Sequence, residues 1–65
     1  MKYSHELVDE IKQYEEDPSY SFSQKVEQEL MEIAKFNCWV DIRTRGIPEY
    51  VYPFALAQLK EEGVL

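Results

Sequence analysis

The sequence predicts a small all-α domain, a bundle of three to four short helices. Two stretches, one after Ser4 and one after Ser21, place apolar residues at the i, i+3, i+4, i+7 spacing of a helix with one buried face. A third apolar stretch lies between Pro48 and Gly63. A chain of 65 residues has room for one domain, residues 1–65, and buries only about 60% of its unfolded surface. The core should therefore be small, and a homodimer would bury more apolar area.

The first predicted helix begins after Ser4, a residue type that caps helix N-termini well. Proline disfavours helical backbone at the preceding residue, so Pro18 should end this helix by residue 17. The predicted buried face consists of Leu7, Val8, Ile11 and Tyr14.

The second predicted helix begins near Ser21, because Ser21 and Gln24 have the Ser-x-x-Gln spacing of a capping box. Its opposite face is polar, as expected for a helix on a domain surface. Its apolar stripe consists of Phe22, Val26, Leu30, Ile33 and Ala34, extended by Phe36 and Asn37.

Residues 38–52 allow two interpretations. Cys38, Val40 and Ile42 alternate with polar residues and Trp39, which is strand periodicity, and a hairpin over 38–52 would make the fold α+β. The other interpretation is a short helix that ends at Gly46 in a Schellman motif. We favour the helix, because glycine, an apolar residue and Pro48 form the expected stop signal.

The last predicted helix contains Val51, Phe54, Ala55, Leu56 and Leu59, and Gly63 should terminate it. Pro53 falls inside this stretch. Proline suits the first turn of a helix and kinks a helix interior. The helix should therefore either begin at Pro53 or bend there.

The net charge of −6 is concentrated in the first half of the chain. Residues 1–32 carry nine acidic and three basic residues, whereas residues 33–65 carry four of each. This balance favours a protein partner with a basic surface and disfavours nucleic acid, although nucleic acid stays an alternative. Cys38 is the only cysteine, and no apolar run reaches the roughly 18 residues of a membrane span. We expect a cytoplasmic protein without a membrane contact.

Gly46-Ile47-Pro48 is followed by Ala55-Leu56-x-Gln58-Leu59-x-x-Glu62-Gly63-Val64-Leu65. In these residues the C-terminal part, residues 36–65, resembles the helix-turn-helix of winged-helix transcription regulators. It implies a first helix over Phe36–Arg45 and a helix over Glu49–Glu62 that enters the major groove. The second helix begins with Glu49 and Tyr50 in place of the basic or amide side chains that contact phosphates and bases. We therefore expect this architecture to be used for protein contacts.

Aromatic and basic residues around the predicted turn form the candidate partner-binding set. Tyrosine and tryptophan concentrate at interface hot spots, because they bury large areas and keep one polar group. Of the large aromatic residues, we expect Trp39 and Phe54 inside the domain and Tyr50 or Tyr52 on its surface. The candidate residues are Trp39, Arg43, Arg45, Glu49, Tyr50 and Tyr52.

Acidic residues on the first two helices form a second candidate surface. Carboxylates three or four residues apart on a helix lie about 6 Å from one another, so they could imitate the phosphates of DNA. The ordinary interpretation is a solvated helix face. These residues are Glu6, Asp9, Glu10, Glu16, Glu29 and Glu32.

No catalytic or metal-binding motif is recognisable. His5 and Cys38 are single, whereas a zinc site needs three or four ligands, so we expect no enzyme, metal or cofactor. The leading hypothesis is a small acidic interaction module that binds and modulates another protein, as an inhibitor or adaptor. The alternatives are a helix-turn-helix DNA-binding regulator and a DNA-mimic inhibitor.

Overall fold

The computed structural model describes residues 3–65, which form three α-helices and, within that range, no strand. The helices are α1 (His5–Glu16), α2 (Gln24–Phe36) and α3 (Val51–Glu61), and each packs against the other two. The all-α prediction is confirmed, with three helices.

The core lies where the three helices meet. It is built from the apolar stripes predicted for α1 and α2, together with every fourth residue of α3. Among the described residues, no polar or charged side chain is buried. The larger cluster of buried residues is Tyr3, Leu7, Val8, Ile11, Val26, Leu30, Ala55 and Leu59, and the smaller is Ala34, Val40 and Val51.

Helix α1 begins as predicted. The Ser4 hydroxyl accepts a hydrogen bond from the Leu7 N–H at 3.1 Å, which satisfies one of the unpaired amides of the first turn. The helix ends at Glu16, and Asp17 before Pro18 adopts extended backbone.

Helix α2 begins two residues later than predicted, so the capping box of Ser21 and Gln24 is wrong. The N-cap is Ser23, whose hydroxyl accepts from the Val26 N–H at 3.4 Å. Phe22 precedes the helix and packs, partly buried, against the core. Ser23 is favoured over Ser21 as the N-cap because Ser23 also donates hydrogen bonds to the Glu10 carboxylate of α1. Local sequence spacing does not reveal this contact between helices.

Helix α2 ends in a Schellman motif at Cys38. Cys38 has a positive φ of 60°, the Cys38 N–H donates to the Lys35 carbonyl at 3.2 Å, and the Trp39 N–H donates to the Ala34 carbonyl at 2.8 Å. The predicted extension of the buried stripe to Phe36 and Asn37 is wrong, because both side chains are exposed where the chain reverses.

Residues 37–50 form turns and irregular backbone, so the predicted helix and the predicted hairpin in this segment are both wrong. The helix that the resemblance implies over Phe36–Arg45 is likewise not formed beyond Phe36. The left-handed residue is Cys38 and not Gly46, which explains the early helix end. The alternating apolar residues do not form a strand. Of Cys38, Val40 and Ile42, only Val40 is buried, and the exposed Ile42 has no sheet to pack against.

Helix α3 begins at Val51, so Pro53 is its third residue and the predicted start at Pro53 is wrong. The first four N–H groups of a helix have no partner within the helix, so proline costs no hydrogen bond here. Termination at Gly63 is confirmed. Gly63 has a φ of 78°, its N–H donates to the Lys60 carbonyl, and the Val64 N–H donates to the Leu59 carbonyl.

Candidate functional site

Among residues 3–65, four large apolar side chains are exposed, and all lie within residues 36–54. The exposed fractions are 85% for Phe36, 79% for Ile42, 48% for Tyr50 and 46% for Phe54. Single exposed apolar residues are ordinary on protein surfaces, so grouping is what carries information.

Three aromatic residues are grouped on this surface, and we call Trp39, Tyr50 and Phe54 the aromatic patch. The Phe54 ring centroid lies 5.7 Å from those of both Trp39 and Tyr50. The Tyr50 hydroxyl donates to the Trp39 carbonyl oxygen at 3.3 Å. Trp39 is half-buried and also packs against both core clusters. The aromatic patch is thus an exposed surface that is attached to the core through Trp39.

Phe54 was expected inside, and that prediction is wrong. The buried positions of α3 are Val51, Ala55 and Leu59, which follow one another at intervals of four residues. Phe54 stands one position before Ala55 and so lies at the border of the buried stripe. Its ring is tilted by 50° against that of Trp39 and is 46% exposed.

Tyr52 belongs to a different aromatic group. Its ring stacks on Phe22 with centroids 4.5 Å apart and planes inclined by 11°, and lies 5.7 Å from the ring of Tyr14. Its hydroxyl donates to Glu27 Oε2 at 3.0 Å. Burial first, and then the bond to Glu27, raise the pKa of Tyr52 to about 12.

Tyr52 also lines a pocket of about 420 Å³ between the α1–α2 connection and the start of α3. We call it the acidic pocket, because Glu27 and Glu49 are the only charged side chains that line it among the described residues. The pocket brings Tyr52 and Glu49 together, whereas Tyr50 is in the aromatic patch. The other lining residues are Tyr14, Pro18, Ser19, Tyr20, Ser21 and Phe22.

The two candidate arginines do not share a site. Arg43 Nε lies 3.3 Å from Asp41 Oδ1, and hydrogen bonds from the Arg43 side chain and backbone lower the pKa of Asp41. Arg45 is exposed and lines a separate groove that contains Met31 and Glu32. Arg43 is therefore paired with Asp41, and Arg45 lies in a groove that also holds acidic residues.

Two of the candidate acidic residues hold the helices together. Glu29 of α2 accepts from the Ser4 N–H at 2.9 Å and from the Ser4 hydroxyl at 2.5 Å. Glu10 of α1 accepts from the Ser23 N–H at 2.8 Å and from the Ser23 hydroxyl at 2.7 Å. Each helix thus supplies a carboxylate to the N-cap of the other, an arrangement we call the reciprocal clasp.

Sequence reasoning missed the reciprocal clasp, although a signal for it exists. Ser4 and Glu10 are the ends of a Ser-x-x-apolar-x-x-Glu pattern, and Ser23 and Glu29 repeat this pattern 19 residues later. The repeat is short, and each serine bonds the glutamate of the other copy, so reading each copy alone does not reveal the contact.

The other four candidate acids have simpler surroundings. Glu6 pairs with Lys25 at 3.3 Å, and a backbone hydrogen bond, followed by Lys25, lowers the pKa of Glu6. Asp9 Oδ2 lies 4.0 Å from His5 Nε2. Within residues 3–65, the carboxylates of Glu16 and Glu32 make no hydrogen bond or ion pair. Half of the six predicted acidic residues, Glu6, Glu10 and Glu29, therefore use their carboxylates in hydrogen bonds to other residues of the domain.

Across residues 3–65, no three His, Cys, Asp or Glu side chains converge on a common point as metal ligands would. Nor does any helix in that range have the length and apolar character needed to cross a bilayer. No protein family, curated protein sequence or solved structure matches this chain.

Proposed function

We propose that this protein binds and modulates another protein through the aromatic patch, and that its negative charge selects a partner with a basic surface. The observation that carries the proposal is the grouping of Trp39, Tyr50 and Phe54 in mutual contact, with nearly half of Tyr50 and Phe54 open to solvent. Large aromatic side chains held in this way are the usual anchors of interfaces.

The patch is held in place before any partner arrives. Trp39 follows the Schellman turn and has its backbone N–H bonded to Ala34, while its carbonyl accepts from Tyr50. Phe54 stands on α3. Because few side-chain rotations remain to be frozen on binding, the entropy cost of association at this surface should be small.

Charge supports the choice of a basic partner. The net charge is −6, and the exposed carboxylate of Glu49 is next in sequence to Tyr50. Complementary charge accelerates encounter and disfavours wrong partners, while buried aromatic area determines the dissociation rate. The resulting complex should form faster at low ionic strength.

The two nucleic-acid alternatives have weaker support. A helix presented to DNA offers basic or amide side chains near its start, and α3 is preceded there by Glu49 and Tyr50. A DNA mimic needs free carboxylates, and those of Glu10 and Glu29 are bonded to the opposite helix. Both observations favour binding of a protein through the aromatic patch.

The proposal is tested by affinity capture from cells of the native organism with three baits. These are the wild-type protein, Phe54→Ala and the matched control Phe36→Ala, which removes an exposed phenyl ring outside the patch. We expect a basic protein on the wild-type and Phe36→Ala baits that is lost from Phe54→Ala. Identical recovery on all three baits would contradict the proposal.

Two further outcomes would redirect it. Low-salt binding of purified protein to duplex DNA that weakens with Arg45→Ala would favour the DNA-binding alternative. Self-association in sedimentation, abolished by Phe54→Ala, would identify the patch as a homodimer interface.

A further inference from the structure

We infer that the acidic pocket binds a long cationic side chain, the guanidinium of arginine or the ammonium of lysine. The inference extends the proposed function, because such a side chain would belong to the basic partner. It rests on the shape, the charge and the wall chemistry of the pocket.

The charge of the pocket is one-sided. Among residues 3–65, its lining includes Glu27 and Glu49 and no lysine, arginine or histidine. Two other grooves are different, since Lys25 lines one of about 800 Å³ and Arg45 lines one of about 430 Å³. Of these three, the acidic pocket alone combines negative charge with a described wall that holds no cation.

Carboxylate oxygens remain available in the pocket. Glu27 accepts the Tyr52 hydroxyl through Oε2, which leaves Oε1 without a hydrogen bond among residues 3–65. The Glu49 carboxylate is exposed and makes no hydrogen bond or ion pair within the same range. In the groove of about 800 Å³, by contrast, Glu29 already binds Ser4 and Glu62 accepts from Tyr3 and Gln58. A cation entering the acidic pocket would thus meet unused acceptors.

The walls suit the apolar stem of the ligand. Four aromatic rings line the pocket, and successive rings lie 4.5 to 5.8 Å apart, so the wall is continuous. Aromatic rings with nearby carboxylates attract cations that carry apolar surface, and arginine and lysine stems pack well on such walls. The volume of about 420 Å³ falls in the range of about 300–1,000 Å³ typical of ligand pockets.

The pocket and the aromatic patch both reach the start of α3, through the neighbouring residues Glu49 and Tyr50. A partner segment lying across α3 could place an apolar group on Phe54 and a cationic side chain in the pocket. In this arrangement the contact with Phe54 would supply most of the binding affinity, and the acidic pocket would select partners that carry a cationic side chain.

The test uses the isolated protein and small probes, so it does not depend on finding the partner. ¹⁵N-labelled protein is titrated with the Nα-acetyl amide of arginine, with that of lysine, and with that of citrulline, an uncharged match to arginine. We expect saturable shifts of the backbone amides at Tyr20, Phe22, Glu49 and Tyr52 with the two cations, and none with citrulline.

The variant Glu49→Gln should weaken arginine binding roughly two- to fivefold, the effect of one partly exposed ion pair. The matched control Glu61→Gln makes the same charge change on an exposed helix residue outside the pocket and should leave the affinity as in the wild-type protein. Shifts that do not saturate, citrulline shifts equal to those of arginine, or wild-type affinity in Glu49→Gln would each overturn the inference. Loss of partner binding in Phe54→Ala alone would leave it standing, so the two proposals fail separately.

Discussion

Glu29 and Ser4, 25 residues apart, join α2 to the N-terminus of α1 through two hydrogen bonds, of 2.9 and 2.5 Å. The same serine hydroxyl accepts from Leu7, so it is donor and acceptor at once. Glu10 and Ser23 repeat the arrangement in the opposite direction. In a chain whose core is small, such contacts fix how two helices pack and which carboxylates face solvent.

Glu29→Ala should lower the free energy of unfolding by about 1–2 kcal/mol, because it removes two hydrogen bonds from a helix cap. The matched control is Glu32→Ala, the same change on the same helix at a residue whose carboxylate makes no hydrogen bond within residues 3–65. Glu32→Ala should shift the free energy of unfolding by less than about 0.5 kcal/mol. Urea unfolding followed by circular dichroism measures both. Equal effects of the two substitutions would refute a structural role for Glu29.

Ser23→Ala should destabilise the protein by about 1–2 kcal/mol, since Ser23 caps α2 and donates to Glu10. Ser21→Ala is the control, two residues earlier at an exposed position without a hydrogen bond, and should change stability by less than about 0.5 kcal/mol. Thermal unfolding distinguishes them. A larger loss with Ser21→Ala would restore the capping box that spacing alone predicts.

Cys38→Gly should stabilise the protein by about 1 kcal/mol, because Cys38 holds the left-handed conformation that suits glycine. Gly63→Ala should destabilise it by a similar amount, since Gly63 has a φ of 78° at the equivalent position of α3. Gly46→Ala is the control, because its φ is not positive and an added Cβ meets no atom within 4 Å. Calorimetric Tm values report all three, and a lower Tm for Cys38→Gly would argue against the Schellman motif.

Stability should fall as pH rises from about 10 to about 12. Burial first, and then the bond to Glu62, raise the pKa of Tyr3 to about 12, and burial and Glu27 do the same for Tyr52. The unfolded value is about 10, so the neutral hydroxyls stabilise the fold fully below pH 10 and that contribution is lost above it. The loss is at most about 1.4 kcal/mol per pH unit for each tyrosine.

Urea unfolding at pH 9, 10 and 11 measures this loss. Tyr3→Phe and Tyr52→Phe should each flatten the decline, while Tyr20→Phe, which leaves both of these hydrogen bonds in place, should not. A decline that is unchanged in Tyr3→Phe and Tyr52→Phe would assign the alkaline sensitivity to other groups.

Sequence patterns predicted the helices better than their ends. The stripes through Leu7, Ile11 and Leu30 are set by a periodicity that the core enforces, so α1 and α2 were predictable. The ends depend on single contacts. Ser23 is the N-cap in place of Ser21 because it bonds the Glu10 carboxylate of α1. Cys38 adopts the left-handed conformation that was expected for Gly46.

The candidate site was predictable only as a set of residue types. The sequence places Glu49, Tyr50 and Tyr52 close together. In the structure, however, Tyr50 belongs to the aromatic patch, whereas Tyr52 and Glu49 line the acidic pocket. Phe54 was placed inside because apolar residues usually are. Its exposure follows from the position of the stripe through Val51 and Ala55, which the sequence left ambiguous around Pro53.

The central claim is that the aromatic patch is a protein-binding surface, and calorimetric titration of the captured partner with Phe54→Ala and Phe36→Ala tests it most directly. We predict that Phe54→Ala weakens the Kd at least tenfold, about 1.4 kcal/mol, because it truncates an interface anchor. Phe36→Ala should stay within about twofold of the wild-type protein. A Kd unchanged by Phe54→Ala, or a larger loss with Phe36→Ala, would contradict the claim.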